Sequence, residues 1–487
     1  SPPRSRGTES GSQADSFALF VARWLLMKLY AAPLNFRSIA REFDVRTTFA
    51  PELHTEASQL RDRFSHLRID ARSVPLVTID PVGSKDLDQA VHIEARDGGG
   101  YVVRYAIADV AAFVDPDSAV AGESLERGQT IYLPDEPARL HPEELSEGSA
   151  SLLPDVDRPA VLWTFELDER GEVDSAHVER ALVRSVARLD YEGVHEDMQA
   201  GSVHPSIALL DEVGQLRQQS SLRRHAINLR LPSVRVVGDG DTFELVIEPR
   251  HPVMDYNSEI SLLTGMVAGR MMVDAGVGFL RTLGPADEGG EAEFRREARN
   301  LGYEVAGDIG EFLAGVDADT PRGMAVMREA QKLLRGSGYV DLSEKQAEVH
   351  AGIGGFYSHV TAPLRRLIDR YATEVCLAIC AGEDVPEWVE RDAPRVIKTM
   401  GRSSQLANTV EKACLHLTEA TVLEPWVGHN FDGVTLKSGE DAARVFIVDP
   451  PVLAPSAGAP EEGAETKFSL VRADPGAREV GFAWPAD

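Results

Sequence analysis

Three aspartates stand close together in the stretch TIDPVGSKDLDQA: Asp80, Asp86 and Asp88. Asp80 closes an apolar run, VPLVTID, that reads as a buried strand. Pro81 and Gly83 then break it. Asp86 and Asp88 lie two residues apart, so an extended chain turns both to one side. Asp109 ends the neighbouring expected strand, AIAD. Four carboxylates can thus converge at the ends of adjacent strands. Their mutual repulsion disfavours this unless a cation sits among them. Oxygen donors without His or Cys suit Mg2+ or Mn2+. Mg2+ held by carboxylates and a substrate phosphate is a device for phosphodiester chemistry. The same spacing also suits a solvated acidic loop that caps helices, and the chain is acidic throughout.

A second stretch, GGFYSHVTAPLRRLIDRY, brings cations. Thr361 can cap a helix with Pro363 in its first turn. Leu364, Ile368, Tyr371 and Val375 would form its core face. Arg365 and Arg366 then sit at the helix N-terminus, the unfavourable end for cations on dipole grounds. An anion there would resolve this, because the helix end and the guanidinium forks both favour phosphate. A surface network of Asp and Arg would resolve it too. His359 reads as a structural hydrogen-bonding residue.

The elements that must position these groups fall into three blocks. Residues 16–72 read as a helix-turn-helix-like module, with helices at FALFVARWLLMKLY, FRSIAREFDV and PELHTEASQLRDRF. Such a module could bind nucleic acid, cap the core or serve as a docking surface. Residues 73–417 begin with strands (AVHIEA and YVVRYAIADV around the RDGGG turn, then AVLWTFELD and DSAHVERALVRSVARL) and continue with apolar helices. A sheet followed by packed helices is α+β. Residues 418–487 return to short strands separated by Gly, Pro and Asp, which suits an OB-fold barrel. Residues 1–15, rich in Ser, Gly and Pro, read as a flexible tail.

Composition bounds the answer. The 487 residues are 43% hydrophobic and 26% charged, which excludes wholesale disorder and fibrous repeats. Net charge is −28, which taken alone argues against nucleic acid, since phosphate binding is driven by Lys and Arg. One groove can still be basic on an acidic protein. Cys376, Cys380 and Cys414 cannot make a disulfide framework or a four-cysteine zinc site. Cys376 and Cys380 read as small core residues. The best membrane candidate, Phe17–Tyr30, is short and interrupted by Arg23 and Lys28. No membrane association and a reducing cytoplasm are the expectations.

At these residues the chain resembles the ribonuclease II (RNB) family of 3′→5′ exoribonucleases. TIDPVGSKDLDQA is similar to the family's aspartate loop. YAIADVAAFV, RGQTIYLPDEPARLHPEELSEGSASLLPDVDRPAVL and YSHVTAPLRRLIDRY match later blocks in order. The resemblance spans roughly residues 70–417, and the C-terminal strands fit the family's S1-type OB-fold. It implies an RNB catalytic domain acting processively on single-stranded RNA and releasing nucleoside 5′-monophosphates. It implies a divalent metal, Mg2+ or Mn2+, at Asp80, Asp86 and Asp88, with Asp88 tied most closely to cleavage. Tyr132 matches a tyrosine that packs on the 3′-terminal nucleotide and sets the end-product length. Arg365 matches an arginine on the scissile phosphate, with Arg366 beside it. Glu259 and Glu411 fall near two glutamates that contact the RNA end. The family leaning is a monomer.

Two departures stand out. Gln89 replaces the family's fourth aspartate; its amide oxygen can coordinate a metal but brings no charge. That points either to altered metal preference and slow turnover or to an inactive RNA-binding relative. The N-terminal module cannot supply the two cold-shock barrels common in bacterial members, so the RNA entrance is expected to be built differently and to be more open.

Overall fold

The computed structural model describes residues 30–31, 34–223, 225–231, 234–239, 242–247, 250–439 and 442–487. The expected helix at Phe17–Tyr30 lies outside them except for its last residue. Tyr30 is not helical: Tyr30–Ala31 is a short strand paired with Thr242–Ile247, which in turn pairs with Val234–Asp239. Two of the three expected N-terminal helices are described, Phe36–Glu42 and Pro51–Gln59. The first is capped by Asn35, whose side chain accepts from Ser38 N at 3.3 Å. The second has Pro51 at its start and ends where Leu60 turns extended.

The centre is a mixed sheet in the order Ile69–Asp70, Val173–Asp190, Leu76–Asp80, Gln89–Ala95, Tyr101–Ala108, Asp157–Leu167. Asp157–Leu167 also pairs back onto Val173–Asp190, so these two and the three strands between them close a circuit. Alternation sets the two faces. Val77, Val91, Val103, Tyr105, Trp163 and Phe165 point into one core with the helices Pro252–Ala275 and Leu367–Ala381. Leu76, Ala90, Ala106 and Leu162 point into a second core, against Leu53 and Ala57 of the N-terminal module. The α+β reading holds.

The long helix Glu387–Leu423 runs through the expected 417/418 boundary and leads into a closed five-strand barrel. The barrel strands are Asn430–Lys437, Ala443–Ile447, Val452–Ala457, Glu465–Asp474 and Glu479–Ala483. Val434, Leu436 and Phe446 pack this barrel on the helices Glu288–Asn300 and Pro321–Glu329. Cys376 is buried as expected, Cys380 is only partly buried against the same core, and all three cysteines are free. Among the described residues no helix is long and apolar enough to cross a membrane.

Asp109 corrects one sequence expectation. Its carboxylate does not join the aspartate loop. It is buried against Arg68 at 2.7 Å and Arg180 at 3.4 Å. Arg68 also holds Asp62 at 2.7 Å, and Arg180 holds Glu374 at 2.5 Å. Arg68 further donates to the carbonyls of Ala160 and Ala181. This network ties the linker after the N-terminal helices to the sheet. Removing one member of a buried pair strands the other's charge in low dielectric. Arg68→Met should therefore lower stability by about 3–5 kcal/mol in urea denaturation; a loss within the scatter of surface substitutions would show that the network is not needed for folding.

Candidate active site

Asp80 is the last residue of the strand Leu76–Asp80, opposite Asp190 of the parallel neighbour. The turn after it returns the chain to Gln89, where the next strand starts. Leu87 is wholly buried and anchors the return, while Leu87 N donates to Ser151 Oγ at 2.9 Å. With Leu87 inward, Asp86 and Asp88 flank the same edge. Burial, then the charge of Asp86, pushes the Asp80 carboxyl up to about 7 against the pull of Arg365. Burial also raises Asp86 and, much further, Asp88; Arg365 and the Leu364 N–H oppose the rise at Asp88. In all three, burial is the largest influence on the carboxyl and outweighs the pull of Arg365.

The arginine stretch differs from its expected form. The helix begins at Leu367, not at Thr361, and residues 362–365 make a turn instead. No side chain caps this helix. Instead the buried Asp369 carboxylate reaches back to the turn before it, accepting from Ala362 N at 2.8 Å and holding Arg366 at 3.0 Å. Arg366 is pinned by that pair. Among the described residues Arg365 has no ion pair. Leu364 N donates to Asp88 Oδ1 at 2.8 Å, which joins the arginine turn to the aspartate loop. Gln89 adds a second tie: its amide nitrogen donates to the Thr361 carbonyl at 2.6 Å. A carboxylate at this position could not make that bond.

A cavity of roughly 210 Å³ opens beside these groups. Tyr132, Arg365 and Arg366 line it, as do Arg281, Tyr339 and His359, which sequence reasoning did not assign to the site. Ser404, Ala407 and Asn408 of the long helix close one side. Arg281 lies over the Tyr339 ring at 4.5 Å, and Tyr339 Oη is in hydrogen-bond contact with His359 Nδ1 at 2.9 Å. Burial, then Arg366, lowers His359 well below the ordinary imidazole range. This matches its structural reading. Arg281 sits in the strand Phe279–Pro285, and no motif marked it. Its signal would have been an arginine inside an apolar strand, FLRTL.

Tyr132 is half exposed on the two-residue strand Ile131–Tyr132, paired with Pro137–Ala138. Desolvation, then Asp86, pushes its phenol up to about 12. Upstream, Thr130 N donates to Arg365 O at 2.9 Å and Leu367 N to Gly128 O at 2.8 Å. Two expected residues are not brought into the cavity. Glu259 shares a helix with Asn257, which reaches Ile79 O at 3.4 Å, but its own carboxylate is buried in an ion pair with Arg223. Glu411 is exposed, one turn beyond Asn408.

The donor chemistry of Asp80, Asp86 and Asp88 fits a hard divalent cation: oxygen only, buried, and short of compensating charge. The expected convergence is looser than the motif suggested. Among the described residues no three carboxylate, His or Cys side chains close to a common ligand distance.

The family model for the RNB domain matches residues 68–379, and that for the RNase II-type exonuclease C-terminal S1 domain matches residues 429–484. Ribonuclease R of Vibrio cholerae is 29% identical over 342 residues, 66% of this chain and 41% of the relative. Ribonuclease R of Chlamydia trachomatis is 24% identical over 413 residues, 81% of this chain and 58% of the relative. The chain thus spans about half the length of these curated relatives. Among solved structures, Mycoplasma genitalium RNase R in complex with ribose-methylated single-stranded RNA superposes with a TM-score of 0.83 at 17% identity, over 92% of this chain and 77% of that one. Yeast Ssd1, described as a pseudonuclease, superposes with a TM-score of 0.70 at 15% identity, over 89% and 55%. At these identities the structures speak for the fold.

Gly128 ends the helix Ala119–Arg127 just before the segment that carries Thr130 and Tyr132. It has φ of +76°, and a Cβ there would stand 2.5 Å from Ser403 Oγ and 2.8 Å from Thr399 Cγ2. Gly128→Ala should cost about 1–3 kcal/mol through strain and overpacking. Denaturant midpoints measure this, and an unchanged midpoint would mean the segment simply shifts away.

Proposed function

Because the chain belongs to the RNB family of ribonucleases, we propose that it is a 3′→5′ exoribonuclease that shortens single-stranded RNA processively and releases nucleoside 5′-monophosphates. The observation that supports this most directly is the bond from Leu364 N–H to Asp88, which ties the aspartate loop to the turn whose Arg365 and Arg366 line the cavity. Asp80, Asp86 and Asp88 would hold Mg2+ or Mn2+, with the Gln89 amide oxygen as a neutral fourth donor. When bound, such a metal lowers the pKa of water and neutralises charge on the scissile phosphate.

The rest is the work of this chain's residues. Arg365 is half buried beside the aspartates and would stabilise charge building on the phosphate. Arg281, which lies in the same cavity without an ion pair among the described residues, would take a neighbouring phosphate. Asp369 fixes Arg366 and through it the turn. Tyr132 offers a half-exposed ring on which the terminal nucleotide can stack. Together they hold the phosphodiester in line and exclude bulk water. Glu259 and Glu411 would contribute only from the margin, Glu259 through its pair with Arg223. The C-terminal barrel would bind the strand upstream through stacking and backbone contacts. Domain boundaries near 72 and 417, a monomer and a cytoplasmic setting complete the reading.

A second reading has its own observation. Gln89 removes one carboxylate, and its amide is already tied to Thr361, so the chain could bind RNA without cutting it. Asp88→Asn decides between the two. Its amide oxygen can still accept from Leu364 N–H, so the turn should hold. With 5′-labelled single-stranded RNA and Mg2+, the wild type should release mononucleotides and the variant should be slower by at least about 100-fold while still binding RNA. Intact RNA with both proteins, and no rescue by Mn2+, would favour the binding protein. Arg281→Met should weaken RNA binding by roughly threefold and reduce the salt slope by about 0.7, the value for one single-strand phosphate contact. An unchanged slope would remove Arg281 from the binding surface.

A further inference from the structure

The hairpin that bears Tyr132 has two faces. Tyr132 lines the cavity, while Ile131, Leu133 and Ala138 are buried on the other side. Strand alternation produces this split. The buried face belongs to one apolar cluster with Phe36, Ile39 and Ala40 of the N-terminal helix Phe36–Glu42. Phe36 is wholly buried and meets Phe243 edge to face at 4.9 Å. Phe243 lies on the strand that pairs with Tyr30–Ala31. Arg37 reaches Glu136 at the hairpin turn, 3.7 Å away, and Glu42 reaches Arg478 of the barrel at 2.8 Å.

Strands two residues long do not hold their shape alone. The hairpin therefore takes its position from what it packs on. Two residues before Tyr132, Thr130 is bonded to the Arg365 carbonyl. A single segment, Gly128–Leu133, thus runs from the N-terminal module to the ring of Tyr132 and the backbone of Arg365.

We propose that the N-terminal module is a positioning element of the active site. Phe36, acting through Ile131 and Leu133, sets where Tyr132 stands relative to Arg365, and so sets how many nucleotides remain uncut. This rests on the exoribonuclease reading for its effect on product length, and on packing alone for its effect on the hairpin. Phe36 is a positioning residue: it lies on the far side of the hairpin from the cavity.

The test uses the full chain with Phe36→Ala, Phe36→Leu and Ile39→Ala, beside Tyr132→Ala. Hydrogen exchange over residues 128–138 needs no activity. Phe36→Ala should raise it by about tenfold while the helix Pro252–Ala275 is unchanged. On 5′-labelled single-stranded RNA with Mg2+, Phe36→Ala should lengthen the final product as Tyr132→Ala does, and raise KM more than it lowers kcat. Phe36→Leu should return both readouts toward wild type. Ile39→Ala removes less volume from the same contact and should give a smaller change of the same kind, which keeps the test open if Phe36→Ala does not fold. The proposal is overturned if exchange rises equally everywhere with product length unchanged, or if neither readout moves. A wild-type protein that releases no mononucleotide would overturn the exoribonuclease reading instead, and the exchange result alone would then decide the positioning claim.

Discussion

The hydrogen bond from Leu364 N to Asp88 Oδ1 joins two motifs that lie 276 residues apart in the chain. Asp88 is buried, so its carboxylate needs a donor, and the arginine turn needs an acceptor to hold its shape. Each satisfies the other. The turn then sets Arg365 beside the aspartates and leaves its guanidinium without an ion pair among the described residues. Asp369 completes the arrangement by accepting from Ala362 N and pinning Arg366. One arginine of the pair is thus committed to structure and the other left for an anion.

Charge is handled in two distinct ways in this acidic chain. Around Asp109 the buried carboxylates are matched by Arg68 and Arg180, and the result is a fixed joint. Around Asp80, Asp86 and Asp88 they are not matched, and burial pushes all three upward. Both groups sit at ends of the same sheet. The difference lies in whether an arginine from a neighbouring segment closes to an ion pair with them, as Arg68 and Arg180 do with Asp109 and Arg365 does not with the loop.

The N-terminal helices add a structural role to the same logic. A helix-turn-helix-like pattern admits nucleic-acid contact, capping or docking. Here Phe36, Ile39 and Ala40 share one apolar cluster with the buried face of the Tyr132 hairpin and with the long helix. The barrel meets the module through Arg478 and Glu42.

Much of this protein is legible along the chain. The aspartate loop, the Tyr132 strand and the alternating strands of the sheet and barrel are local patterns, because strand period and turn chemistry act over a few residues. The chain order of the blocks is enough to place the fold class. What local pattern misses depends on partners distant in sequence. Asp109 looks like a fourth ligand until Arg68 and Arg180 claim it. Thr361 looks like a cap until the helix is found to start at Leu367, with Asp369 inside its first turn holding the preceding turn at Ala362 N. Arg281 carries no motif, and only the folded strand brings it into the cavity with Arg365. Residue type and spacing thus determine which groups can do chemistry. Tertiary structure decides which of them are left unpaired to do it, because a buried charge is neutralised by whichever opposite charge folding brings within reach.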